Sequence, residues 1–196
     1  MKKMHGFDGV FDSQKLFRLI LEAMSNPLRT VDITEFKEKF SGENGGVLAL
    51  AFTLLDNETS FSTCENRALS EEIISLTLAK RETAENADFI FVTEISDLED
   101  VINNAKCGTL ADPHKSATVI VKLLANERKN ITFAGPGING SVTAEVDGDV
   151  ERALELRDGR FFEYPEGLDF IFIAENGKNC NLFAIPRLVN IRKEAG

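Results

Sequence analysis

The apolar positions of this chain fall into short blocks with two different spacings. Within residues 16–24 they recur at helical spacing, Asp12 or Ser13 can cap the start, and Asn26-Pro27 can end the block. Residues 47–55 are apolar on all sides, and their length favours a buried helix over a central strand. The same reasoning predicts helices near 70–80, 98–102 and 150–156, and strands near 31–33, 89–92, 117–123, 131–133, 142–146, 170–174 and 182–185.

Two of the predicted helices carry start signals in their polar residues. Ser70 is expected to cap the helix 70–80, with Lys80 and Arg81 in its last turn, where cations suit the helix dipole. Ser96 and Glu99 have the spacing of a capping box ahead of a short helix. These signals predict where each helix begins.

Several predicted strands are apolar on both faces and alternate with helices. Such strands are typical of a sheet that helices cover on both sides. The short links and the hairpin around Asn176-Gly177 make a mixed sheet the expectation. The sequence therefore predicts an α/β three-layer sandwich, with residues 1–196 forming a single domain.

Charge is unevenly distributed along the chain, whose formal net charge is −10. Between Asp56 and Asp100 there are twelve acidic residues and only three basic ones. Such a surface repels phosphate backbones, which argues against binding to nucleic acid or to an anionic membrane. Two interpretations stay open: a solvated helical face that keeps the protein soluble, or a docking face for a basic partner.

Compartment and redox state follow from the apolar runs and the cysteines. No apolar run approaches the roughly 20 residues of a spanning helix, and residues 1–6 have no apolar core behind them for a signal peptide. The three cysteines are odd in number and lack paired spacing. A cytoplasmic protein with reduced thiols is therefore expected.

The run Gly135-Pro136-Gly137-Ile138-Asn139-Gly140 matches Gly-x-Gly-x-x-Gly after a predicted strand. Dinucleotide binding also needs a helix to begin at this loop, so that free amides face the pyrophosphate. Alternating apolar residues follow instead, and Pro136 removes one amide. We therefore expect a tight turn here, in which Gly135 and Gly137 can still contact a partner chain or an anion.

Other reactive side chains give weaker signals. His5 and His114 are the only histidines and have no metal-ligand spacing. Cys107 has no evident base beside it, so a small half-buried cysteine is favoured over a nucleophile. The sequence accordingly predicts no catalytic residue, no metal site and no cofactor.

Two sets of polar residues remain as binding candidates. Asp56, Glu58 and Thr59 can form a polar cluster between a helix and a strand, or simply an Asx-type turn. Arg187 follows the last long strand, where binding or interface residues occur, although a solvated arginine is the commoner case.

Five patches stand in a recognisable order: 17–27, 54–59 with Leu-x-Asp-x-x-Thr, 107–109 with the strand 117–123, 135–138 with Gly-x-Gly-Ile, and 167–187. Together they resemble the PhnH family, a subunit of the bacterial carbon–phosphorus lyase system for phosphonate use. The resemblance implies an α/β sandwich similar to pyridoxal-phosphate-dependent transferases without their cofactor. It also implies assembly with the other carbon–phosphorus lyase core subunits, and a homodimer in isolation.

This resemblance favours a structural and assembly role over catalysis. The alternative is an autonomous small-molecule-binding protein or transferase with a cleft at the sheet edge. A third reading is a homodimeric scaffold outside phosphonate metabolism. The residues proposed for a ligand or an interface are Asp56, Thr59, Gly108, Thr109, Gly135, Gly137 and Arg187.

Overall fold

The computed structural model of the chain describes residues 6–124 and 127–192. Within those residues there are six α-helices: α1 (Phe11–Ser25), α2 (Thr34–Lys37), α3 (Gly45–Leu54), α4 (Arg67–Thr77), α5 (Leu98–Asn104) and α6 (Gly148–Gly159). The same residues form ten strands: β1 (Val31–Asp32), β2 (Ser60–Ser62), β3 (Lys80–Arg81), β4 (Phe89–Val92), β5 (Thr118–Leu123), β6 (Arg128–Ala134), β7 (Val142–Asp147), β8 (Asp169–Asn176), β9 (Asn179–Ile185) and β10 (Asn190–Ile191).

Seven of these strands form one mixed sheet in the order β1-β9-β8-β5-β4-β2-β3. The strands from β8 to β3 run parallel to one another, β9 is antiparallel to β8, and β1 at the edge is antiparallel to β9. The other three form an antiparallel sheet, β10-β6-β7. The mixed sheet is as predicted, but the separate small sheet was not expected, because the sequence pattern identifies strands and not their partners.

Both faces of the main sheet are covered, as the apolar strands predict. On one face α1 to α4 enclose a core that includes Phe36 and Phe61. On the other face α5, α6 and the small sheet enclose a second core that includes Phe133, Phe170 and Phe172. Burying each such ring contributes roughly 1.5–3 kcal/mol, so this layering is the main stabilising feature of the fold.

The hairpin β8–β9 agrees with its prediction and is longer at both ends. Asn176 pairs with Asn179, and Gly177 takes a left-handed conformation (φ 59°) in the turn. Residues 47–55 lie mostly in helix α3, whose first seven residues are buried, so the choice of helix over strand is confirmed.

The caps predicted for α1, α4 and α5 are all wrong. The Asp8 carboxylate accepts the backbone N–H groups of Val10 and Phe11 at the start of α1, whereas Asp12 lies inside the first turn and pairs with Lys39 (2.6 Å). Ser13 does not cap this helix either, because it too lies within α1.

Helix α4 begins three residues earlier than Ser70. Asn66 is its cap and accepts the backbone N–H of Leu69 (3.0 Å), which leaves Ser70 buried inside the helix. Leu78 takes a left-handed conformation and ends the helix, so Lys80 and Arg81 form β3 instead of a last turn.

Helix α5 buries Leu98, Val101 and Ile102 as predicted, but the capping box of Ser96 and Glu99 does not form. A 3₁₀ turn over Ile95–Asp97 occupies that position and leads directly into the helix. A second 3₁₀ turn covers Pro113–Lys115 ahead of β5. No described helix combines the length and apolar content that a membrane span requires.

Candidate functional site at the amino end of the sheet

Five of the seven candidate residues lie at the end of the main sheet where its parallel strands begin. Asp56 and Thr59 precede β2, and Gly108 and Thr109 lie in the loop before β5. Arg187 follows β9, which runs antiparallel and therefore ends at the same side. The fold thus gathers residues that are far apart in sequence along one edge.

The centre of this edge is an ion pair between Asp169, the first residue of β8, and Arg187. The Asp169 carboxylate accepts the backbone N–H of Arg187 (2.8 Å) and its side-chain Nε–H (3.2 Å to each oxygen), and Arg187 Nη2 makes a further short contact. The hairpin register sets this geometry, because Phe170 faces Ile185 and the chain beyond β9 returns past Asp169. The two side chains are only 14% and 18% exposed.

The Arg187 guanidinium also ties two loops to the hairpin. Its Nη1 donates to the backbone carbonyls of Pro113 (2.9 Å) and Pro165 (3.4 Å), and its Nη2 donates to Ser116 Oγ (2.5 Å). Together with Asp169, these acceptors match the five N–H donors that a guanidinium carries. The expectation of a solvated Arg187 is therefore wrong, and the side chain has no donor left over for a phosphonate.

Gly108 and Thr109 shape the loop that holds one of these acceptors. Gly108 has φ +80°, and a Cβ atom on it would lie 2.8 Å from the carbonyl oxygen of Pro113. Thr109 Oγ1 accepts the backbone N–H of Asp112 (3.0 Å), which closes the turn. Gly108 and Thr109 thus hold Pro113 where its backbone carbonyl can accept a hydrogen bond from Arg187.

Asp56 and Thr59 form the Asx-type turn that the sequence allowed. Asp56 Oδ1 accepts the backbone N–H groups of Glu58 (2.9 Å) and Thr59 (3.0 Å), and Thr59 Oγ1 accepts that of Asp56 (2.8 Å). The backbone hydrogen bonds from Glu58 and Thr59 lower the pKa of Asp56 below its ordinary value. The turn therefore directs the chain from α3 into β2.

A second ion pair stands beside this turn. Asp88 Oδ1 lies 2.5 Å from Lys106 Nζ, and Asp88 Oδ2 accepts the backbone N–H of Ser60 (2.9 Å) and its hydroxyl (2.6 Å). Burial alone would raise the pKa of Asp88, but the hydrogen bonds from Lys106 and Ser60 outweigh it and lower that pKa. The cluster joins the starts of β2 and β4.

Gly135 and Gly137 lie in the tight turn after β6, and no helix begins there. The carbonyl oxygen of Leu188 lies 2.5 Å from the place of a Cβ on Gly135, and Pro27 Cδ lies 2.7 Å from that on Gly137. The turn therefore packs tightly against its own chain, which accounts for both glycines.

Sequence reasoning gave no role to Asp169 or to Arg157. Arg157 is 2% exposed, donates to the carbonyl of Val189 (2.5 Å), and lies 5.9 Å from the Phe170 ring centre. Burial lowers the pKa of Arg157, and Asp158 opposes that effect. Asp169 stands directly before the apolar run of β8, so the hairpin register could have identified it as the partner of Arg187.

At the opposite end of the sheet, Cys64 lines a cavity of 710 Å³ beside β2 and β4. Helix α4 follows β2 on one face of the sheet, and α5 follows β4 on the other face. In α/β sheets, ligands often bind in the crevice at the carboxyl ends of two such neighbouring strands. Burial, together with the charges of Asp97, Asp100 and Glu65, raises the pKa of Cys64 to about 12. Its thiol is therefore protonated and a poor nucleophile.

The described part of the chain contains three cysteines and one histidine. No group of three or more His, Cys, Asp or Glu side chains there could hold a metal ion. All three cysteines are free thiols, as predicted. His114 lies in the exposed 3₁₀ turn, whereas His5 falls outside the described residues.

Two comparisons with known proteins bear on this site. The search of curated proteins returned no match. The family model of PhnH, described as a bacterial phosphonate metabolism protein, matches residues 5–192 and so spans both sheets and the whole amino end of the main sheet. The chain therefore belongs to the PhnH family of bacterial phosphonate metabolism proteins.

Proposed function

We propose that the chain is a structural and assembly subunit of the carbon–phosphorus lyase core complex in phosphonate use. That complex makes ribose 1-phosphonate 5-triphosphate from ATP and a phosphonate, with loss of adenine. In this proposal the chain supplies surface and stability, and the reacting groups belong to its partner subunits. Membership of the PhnH family supports a part in phosphonate metabolism. The structural role is supported by the polar side chains at the amino end of the sheet, whose hydrogen bonds are made within the chain.

The structural role rests on Arg187, whose side-chain hydrogen-bond donors all have acceptors within the chain. A catalytic or anion-binding arginine must present donors to its ligand, but the donors of this one are used by Asp169, Ser116 and two backbone carbonyls. Asp56 and Thr59 are likewise engaged in their own turn. The amino end of the sheet therefore has the properties of a structural joint.

The alternative, a cleft formed by Asp56, Thr59, Thr109, Gly137 and Arg187, has less support. Gly137 packs against the end of α1, and the Asp56 turn lies two strands away from the Arg187 contacts. This alternative requires the isolated chain to bind an alkyl phosphonate and to lose that binding when Arg187 is changed. Titration with methylphosphonate distinguishes the two, since the assembly proposal expects no such binding.

Self-association is the second part of the proposal. Exposed apolar side chains lie along α1 and at its start: Val10, Phe11, Phe17 and Leu21. A soluble monomer rarely keeps such a stripe uncovered. We assign this face to a homodimer of the isolated chain.

The acidic segment 56–100 is a candidate surface for the partner subunits. Nine of its twelve acidic residues are exposed, whereas two of its three basic residues, Lys80 and Arg81, form β3 at the free edge of the main sheet. A basic patch on a partner would complement it, and its attraction would weaken as salt rises. A purely solvated face would give an assembly that is insensitive to salt.

The remaining parts of the proposal follow the family resemblance. Residues 1–196 form one domain, the sandwich is related to pyridoxal-phosphate-dependent transferases, and the chain holds no cofactor. It acts in the cytoplasm and binds neither nucleic acid nor a membrane, in keeping with its net charge of −10.

Native mass spectrometry of the chain, co-expressed with the other core subunits of its host, tests the proposal. We expect a stoichiometric hetero-oligomer, and a smaller or incomplete assembly when this chain is omitted. A homodimer that stays separate from folded partners would contradict the proposal. Repeating the measurement at low and high salt tests the acidic surface separately.

A further inference from the structure

Three phenylalanine rings stack along the β8–β9 hairpin on the face of the second core. Phe170 and Phe172 have ring centres 5.6 Å apart and planes 19° apart. Phe183 is the register partner of Phe172 across the hairpin, and their rings are 5.1 Å and 20° apart. The inner two rings are fully buried, whereas Phe183 is only half-buried.

Phe183, at the outer end of the stack, lines a cavity of 410 Å³. The cavity lies where β5 and β8 end, between the hairpin and the small sheet, and therefore at the end of the main sheet opposite to Arg187. Its other apolar lining residues are Leu28, Leu123, Ala144, Val146 and Ala174. A cavity of this volume lies within the range of small-molecule sites.

The polar residues of the cavity are of two kinds: charged residues that form ion pairs or hydrogen bonds within the chain, and neutral residues that can hydrogen-bond to a ligand. Glu145 pairs with Arg128 (3.5 Å), and Asp147 accepts the backbone N–H of Asp149 (2.9 Å). Glu175 Oε2 lies 3.3 Å from Lys37 Nζ and 3.8 Å from Lys122 Nζ.

Thr30, Asn176 and Asn181 line the same cavity and carry neutral hydroxyl and amide groups. An asparagine amide both donates and accepts hydrogen bonds, and so it can match the edge of a nitrogen heterocycle. Each lining carboxylate has at least one partner, although the second oxygen of Glu175, Oε1, is buried without a hydrogen-bond partner. The neutral amides of Asn176 and Asn181 therefore offer the clearest contacts for a ligand.

We propose that this cavity binds a planar nitrogen heterocycle of the nucleobase class. The ring stacks on Phe183 as the next member of the aromatic stack, and its polar edge bonds to Asn181 and Asn176. Stacking distinguishes little among the bases, because every base offers a π face. The Asn181 and Asn176 amides therefore decide which heterocycle is preferred. The inference goes beyond the assembly role and does not depend on it.

Titration of the purified full-length chain with adenosine, guanosine, cytidine and uridine, one at a time, tests this site. We expect saturable shifts of amide NMR signals for at least one nucleoside, centred on residues 174–176, 181–183 and 144–146. The base-free control is methyl riboside, for which no saturable shift is expected. Absence of saturable shifts with all four nucleosides, or equal shifts with methyl riboside, would overturn the proposal.

Two variants test the contacts that define the site. Phe183→Leu keeps an apolar side chain but removes the π face, and we expect nucleoside binding about tenfold weaker. Asn181→Ala should reduce binding and change the preference among the four bases. Phe161→Leu is the matched control, because Phe161 is 90% exposed and lies outside the cavity. Unchanged binding in both cavity variants, folded by circular dichroism, would overturn the proposal.

Discussion

Asp169 and Arg187 join the two ends of the β8–β9 hairpin, and Arg187 also donates hydrogen bonds to the backbone carbonyls of Pro113 and Pro165. The pair is mostly buried, with side chains 14% and 18% exposed. It therefore fixes the chain before β5, the start of β8 and the chain after β9 relative to one another.

Removing one member of this pair leaves the other charge buried without its partner. We expect Arg187→Met and Asp169→Asn each to lower the free energy of unfolding by about 3 kcal/mol, measured by urea denaturation. The matched control is Arg29→Met, because the Arg29–Glu22 pair (2.8 Å) is 60% and 36% exposed and should contribute less than about 1 kcal/mol. Equal effects at the two sites would contradict the structural joint.

Gly108 tests the loop that presents the Pro113 carbonyl. A Cβ at position 108 would meet backbone atoms of Pro113, whereas Gly177 (φ +59°) has nothing within 4 Å of its Cβ position. Gly108→Ala should therefore cost about 2–3 kcal/mol, and Gly177→Ala only about 1 kcal/mol for its left-handed backbone. Thermal unfolding of the two variants makes the comparison, and a larger loss at Gly177 would oppose this account.

Asp88 provides a test of pH dependence. Its folded pKa is lowered, so its contribution to stability is present above the unfolded pKa, near the ordinary value of 3.8, and is lost as the pH falls through the folded pKa. Asp88→Asn should flatten the acid limb of the plot of unfolding free energy against pH below about 4. An NMR titration that places the Asp88 pKa above 3.8 would contradict the expectation.

Cys64 should react slowly with iodoacetamide at neutral pH. Burial raises its pKa, and so do the charges of Asp97 and Asp100, so little thiolate is present. Asp97→Asn combined with Asp100→Asn should lower the pKa and speed alkylation at Cys64. Mass spectrometry of the modified peptide gives the rate, and alkylation as fast as that of free cysteine would contradict the assignment.

The exposed face of α1 makes a prediction about self-association. Replacing Phe17 and Leu21 together by serine should raise the dimer dissociation constant by at least about tenfold, measured by analytical ultracentrifugation. The control is Phe161→Ser, because Phe161 is a more exposed ring beyond α6, on the opposite face of the sheet. An unchanged dimer in the α1 variant would move the interface elsewhere.

The parts of the fold that the sequence predicted depend on local periodicity. The block 170–174, the Asn176-Gly177 turn and the return strand lie within a few residues of one another, so pattern and turn chemistry agree on the hairpin. The start of α4 was misplaced because Ser70 and Asn66 both suit a cap, and packing buries Ser70.

The role of Arg187 depends on contacts that local patterns do not contain. Its acceptors on Pro113 and Ser116 are 74 and 71 residues away in sequence. The small sheet was missed for the same reason, since Asn190–Ile191 is too short to show a pattern and pairs with β6 more than fifty residues earlier. Long-range pairing therefore decides what these residues do.

The central claim is that the chain assembles the complex without supplying a reacting group. The most direct test measures adenine release from ATP and a phosphonate per assembled complex, using Asp56→Ala, Thr109→Ala and Arg187→Met, with native mass spectrometry giving the amount of complex. We expect turnover per assembled complex to stay at the wild-type value, even where the amount of complex falls. A variant that assembles fully and abolishes adenine release would contradict the claim and identify a catalytic residue in this chain.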